Sequence, residues 1–76
     1  MALDEKMLEE LTLLTKFPRN SLHQGIKIHS HAPEATQHAA QRLFDKGVID
    51  SPDGGYLTDL GQDLIDHFDH VYSALK

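Results

Sequence analysis

The stretch from Leu43 to Gly61 constrains this chain more than any other part of it. Gly47 follows the last residues of an apolar, helix-spaced segment, where a left-handed C′ residue ends a helix. Val48-Ile49-Asp50 and Tyr56-Leu57-Thr58 are short strand candidates, and Ser51-Pro52-Asp53-Gly54-Gly55 between them is dense in turn formers. Thr58 is placed to cap a helix starting just after it, and Gly61 lets that helix's first turn approach the body. Two strands are too few to stand alone, so the hairpin must lean on helices at both ends.

Those helices are legible from apolar spacing. The first is predicted over about Glu5 to Thr15. Asp4 serves as its N-cap and Leu3 and Leu8 as a hydrophobic staple. Met7, Leu8, Leu11 and Leu14 form its apolar face, and Phe17-Pro18 ends it. A second helix is predicted from Ser21, where Ser21-Leu22-His23-Gln24 has capping-box spacing, though Gly25 weakens it. Leu22, Ile26 and His29 would face the core; Ile26-Lys27-Ile28 reads either as the end of this helix or as an extended segment. The third helix has Pro33 in its first turn and runs to about Lys46. Ala35, Ala39, Ala40, Leu43 and Phe44 face inward. Glu34, Gln37, His38, Gln41 and Asp45 face outward, with Arg42 at the boundary. The last helix runs from Thr58 to about Leu75. Leu60, Leu64, Phe68, Val71, Tyr72 and Leu75 form one stripe, the aspartates the other side, and Ile65 sits off the stripe.

A chain of 76 residues supports one domain, here 1–76, with a small core. There is no cysteine, so no disulfide staples it. Apolar runs of two or three residues are far below the roughly 20 that span a bilayer. The first residues have neither a basic nor an apolar targeting segment. The expected location is the cytoplasm, with no membrane contact.

The net charge of −5 hides a division along the chain. Residues 1–15 carry Lys6 against Asp4, Glu5, Glu9 and Glu10, a net −3. Residues 16–46 carry Lys16, Arg19, Lys27, Arg42 and Lys46 against Glu34 and Asp45, a net +3. Residues 47–76 carry Lys76 against six aspartates, a net −5. His23, His29, His31 and His38 also fall in the middle segment.

Helix, helix, helix, hairpin, helix is the order of a winged helix-turn-helix, and the chain resembles that family most specifically at Leu43–Gly61. In Tyr56-Leu57-Thr58-Asp59-Leu60-Gly61, the Leu-Thr-x-x-Gly part is similar to the end of the Tyr-x-Leu-Thr-x-x-Gly pattern of many bacterial winged-helix regulators, with Tyr56 one position nearer. The whole chain, including Asn20 to Ser30, also resembles a small family of uncharacterised bacterial proteins described as hypothetical DNA-binding proteins. The resemblance implies a mainly α fold with a small β-hairpin: three helices, a β-wing and a C-terminal helix. It further implies that the third helix enters the major groove of double-stranded DNA, as in transcription regulation. Gln37, His38, Gln41 and Arg42 would then face bases or phosphates, since Gln pairs with adenine and Arg with guanine. Lys27, His29 and His31, with Lys16 and Arg19, would contact phosphates. The chain departs from the pattern in its wing, which has Asp50 and Asp53 but no basic residue, and at Glu34.

Two other classes fare worse. His29-Ser30-His31 and His67-Phe68-Asp69-His70 have spacings that metal ligands use, but zinc needs three or four convergent ligands and no cysteine is available; neither a metal nor another cofactor is expected. No phosphate-binding glycine loop or nucleophilic triad is recognisable, and the chain is small for a substrate pocket, so no enzyme is expected. The partners to weigh are double-stranded DNA, a second copy bound through the C-terminal helix, and a basic protein docked on the aspartates. In that last reading the domain is an acidic protein-interaction adaptor that does not bind DNA.

Overall fold

The computed structural model describes residues 2–18 and 25–76. The Asp4 carboxylate accepts the Met7 amide at 2.8 Å and starts α1, Glu5–Leu14. Phe17-Pro18 lies just past its end. The first half of the second predicted helix, residues 21–24, lies outside the described residues. Its described end is not helical: Ile26–Lys27 is strand β1, so the extended alternative holds. Pro33 precedes α2, Glu34–Asp45, and Gly47 follows it at φ 78°, the left-handed position expected from sequence. Strands β2, Ile49–Ser51, and β3, Gly54–Leu57, form the hairpin, each displaced by one or two residues from its sequence reading. Thr58 then caps α3, Asp59–Leu75, its hydroxyl accepting the Gly61 amide at 3.1 Å.

The hairpin is not alone. β1 pairs antiparallel with β3, giving a three-stranded sheet of order β1-β3-β2 with Ile26 opposite Gly55 and Ile49 opposite Leu57. The Ile28 amide continues that pairing by donating to the Asp53 carbonyl at 2.6 Å. This third strand supplies the support that an isolated hairpin lacks. The result is an α+β fold of three helices and a small antiparallel sheet among the described residues.

The core joins Leu13, Leu14 and Phe17 of the α1 end, Ala39, Ala40 and Leu43 of α2, Val48 and Ile49, and Ile65 of α3. Two apolar faces differ from their sequence reading. On α1 the buried face is Glu10, Leu13 and Leu14, leading on to Phe17, while Met7, Leu8 and Leu3 are exposed. Residues 10, 13, 14 and 17 are also helically spaced, and a buried glutamate concealed that face from a count of apolar residues. On α3 the order is reversed: Ile65 is fully buried and Leu60, Leu64, Val71, Tyr72 and Leu75 are exposed. The cause is Gly61, one turn before Ile65. It lies against the Val48 carbonyl, so the Gly61–Ile65 side of α3 is the one that reaches the body. On α2, Ala35 and Phe44 are exposed rather than inward.

Candidate functional site

The segment 26–33 passes from β1 into α2, and its side chains meet the end of α1. Lys16, Lys27, His29 and His31 line one open depression of about 680 Å³ there, with Pro33 and Thr36 of the α2 start. No acidic residue lines it. Three residues singled out from sequence, Lys27, His29 and His31, are therefore brought together, and Lys16 joins them from another element. Arg19 lies outside the described residues.

The turn that carries His29 and His31 is held from α2. The Gln37 amide donates to the Ala32 carbonyl at 2.6 Å and to the Ser30 carbonyl at 3.1 Å, and the Ala32 amide donates to His29 at 3.0 Å. Gln37 thus spends its side-chain donors on the loop beside it. His38 and Gln41 sit further along the outer face of α2. They line a cleft of about 270 Å³ between the helix and the hairpin tip, closed by Ile28, Pro52 and Asp53. Gln41 also donates to the Asp45 carboxylate at 3.0 Å.

Arg42 is placed elsewhere. Its guanidinium reaches Glu10 at 3.4 Å, Glu9 at 3.5 Å and the Lys6 carbonyl at 3.3 Å, all on α1. Lys46 joins the same carboxylate, 2.6 Å from Glu10 Oε1. Two of the five cations in the basic segment therefore bind α1 to α2. Glu10 is the residue that sequence reasoning missed. Its partners are 32 and 36 positions away, so no local pattern signals the cluster.

The hairpin tip has its own electrostatics. The Ser51 hydroxyl donates to the Asp53 carboxylate, and Lys27 approaches it at 3.8 Å. The Ser51 bond holds the Asp53 carboxyl below its ordinary value near 3.8; desolvation opposes it, and the Lys27 charge adds a smaller lowering. Asp50 accepts the Tyr56 amide at 2.8 Å. Among the described residues, no three or more histidine or acidic side chains converge on a possible metal position. His67 lies 3.5 Å from Asp63 on the exposed side of α3. No helix among the described residues is long and apolar enough to cross a membrane.

Fold and site define a small α+β domain with a basic depression at the strand-to-helix junction and an acidic C-terminal helix. The chain belongs to a family of unknown function (DUF5669), whose pattern matches residues 1–76. No curated protein and no solved structure matches the chain.

Proposed function

We propose that this chain is a cytoplasmic winged helix-turn-helix protein that binds double-stranded DNA in the manner of a transcription regulator. The observation that carries the reading is the convergence of Lys16, Lys27, His29 and His31 on one acid-free depression at the start of α2. The β2-β3 hairpin supports it, because its tip shares a cleft with His38 and Gln41 of α2, as a wing stands beside a recognition helix. In this reading the depression takes the phosphate backbone, and His38 and Gln41 on the outer face of α2 approach base edges. Gln37 orders the loop, and Arg42 orders α1 against α2, so both act by positioning. Phosphate contacts dominate over base contacts, and binding is steeply salt-dependent.

The test is fluorescence anisotropy of labelled duplex DNA over a salt series. Lys16→Ala and Lys27→Ala should each weaken binding and reduce the salt slope by about 1. Unchanged slopes in both variants would remove the depression from the interface.

A second reading is favoured by Asp59, Asp63 and Asp66, which are exposed on α3. There the domain is an acidic adaptor for a basic protein. Asp63→Lys with Asp66→Lys should then abolish recovery of that partner, and unchanged recovery would count against it.

A further inference from the structure

We propose that Asp53, at the hairpin tip, reads a base: its carboxylate accepts the major-groove amino group of one cytosine presented to the cleft between α2 and the tip. The inference rests on the DNA reading above and gives that site its specificity. It starts from a conflict, because a carboxylate near a phosphate backbone weakens non-specific binding. The carboxylate of Asp50 is used inside the hairpin, where it accepts the Tyr56 amide. Asp53 instead keeps its side chain half exposed and lines the same cleft of about 270 Å³ as His38 and Gln41. Its position is fixed from two sides. The Ile28 amide donates to the Asp53 carbonyl at 2.6 Å and ties the tip to β1. The Ser51 hydroxyl donates to one carboxylate oxygen, and Lys27 lies 3.8 Å from the other. An ionised carboxylate offers about four acceptor positions, so these neighbours leave part of its capacity open. Lys27 also lines the basic depression. A phosphate seated there therefore sets where Asp53 stands relative to the adjoining bases.

The chemistry of the cleft selects the base. Gln37 uses both amide hydrogens on the Ser30 and Ala32 carbonyls, and Gln41 uses one on Asp45. Both keep a side-chain carbonyl oxygen as acceptor, and a neutral His38 adds one donor and one acceptor. Ile28 and Pro52 supply apolar walls, and Pro52 has no N–H to give. Counting Asp53, the cleft accepts more hydrogen bonds than it donates. Its volume is also below the roughly 300 Å³ at which enclosed ligand sites begin, so it takes the edge of a base rather than a whole molecule. In the major groove cytosine presents an amino donor and no acceptor of its own. Guanine presents only acceptors, thymine an acceptor and a methyl group, and adenine an acceptor beside its amino group. A carboxylate matches the first and meets an acceptor on each of the others. The charge that weakens non-specific binding thus becomes a penalty on the wrong base, which is how specificity arises by exclusion.

The test selects duplexes from a randomised pool with the wild type, then competes the selected duplex against versions altered at each base pair. One C·G pair should be required, and replacing it should weaken wild-type binding by about 5- to 150-fold. Asp53→Asn keeps an oxygen for the Ser51 hydroxyl but loses the charge. It should bind random duplex more tightly than the wild type and lose the C·G requirement. Asp50→Asn removes the same charge from β2, outside the cleft. It should also bind random duplex more tightly, yet keep the requirement. The absence of any required C·G pair, a requirement that Asp53→Asn retains, or one that Asp50→Asn loses equally overturns the role of Asp53 and leaves the DNA reading standing. A wild type that binds no duplex at about 50 mM salt overturns both.

Discussion

Glu10 of α1, almost fully buried, accepts a 2.6 Å charge-assisted hydrogen bond from Lys46 just past the end of α2. Arg42 completes the arrangement at 3.4 Å. Removing one member of a buried charged set leaves the others poorly satisfied, although Lys46 keeps much of its contact with water. Glu10→Gln should cost about 1–2 kcal/mol in urea unfolding. A variant as stable as the wild type would show that the cluster contributes only placement.

Arg42→Ala separates the two roles open to that side chain. Its guanidinium is turned to Glu9, Glu10 and Lys6, so its loss should lower stability by about 1 kcal/mol. The salt slope of DNA binding should stay within error of the wild type. A slope reduced by about 1 with stability unchanged would put Arg42 on a phosphate instead.

Gly61 gives a sharper stability test. A methyl group there would collide with the Val48 carbonyl and touch the Leu57 side chain. Backbone cannot move aside as a side chain can, so Gly61→Ala should cost about 2 kcal/mol despite alanine's better helix propensity. An increase in thermal midpoint would contradict the close approach.

Adjacent residues of α3 should behave differently. Ile65 is 0% exposed, and Ile65→Ala should cost about 2–5 kcal/mol. Leu64→Ala should stay within about 0.5 kcal/mol of the wild type, because Leu64 is exposed. Equal losses at the two positions would restore the face expected from sequence.

The hairpin tip should respond to acid in a defined direction. The Asp53 carboxyl is held below its ordinary value of 3.8, so its contribution is fully present above that pH. It is lost as pH falls through the lowered folded-state value. A carbon-detected titration should place the Asp53 midpoint below 3.8. Ser51→Ala should raise it more than Lys27→Ala does, because the hydroxyl bond is the larger cause. A midpoint at or above the ordinary value would contradict the Ser51 contact.

Elements with local signals were legible in the sequence. Asp4 and Thr58 cap the helices assigned to them, Gly47 ends α2, and the turn formers at 51–55 lie in the hairpin. What depended on distant contacts was not legible. The Glu10 face of α1 is defined by cations more than 30 residues away. The choice of Ile65 over the Leu60–Leu75 stripe is made by Gly61 against Val48, a contact no periodicity records. Ile26-Lys27 became a strand because β3 was there to receive it, which the two-residue apolar pattern could not specify. At the site, the basic composition of 16–46 was visible, but its division was not. Lys16 and Lys27 face the depression, while Arg42 and Lys46 are drawn onto α1.

The most direct measurement of the proposed DNA contact is an amide chemical-shift titration of the labelled chain with mixed-sequence duplex DNA. At about 50 mM salt, shifts should concentrate at Lys16, residues 26–32 and the His38–Gln41 face of α2, and should fade as salt is raised. They should leave the aspartate face of α3 unmoved. An absence of shifts at that salt, where even non-specific binding is visible, would contradict DNA binding by this chain.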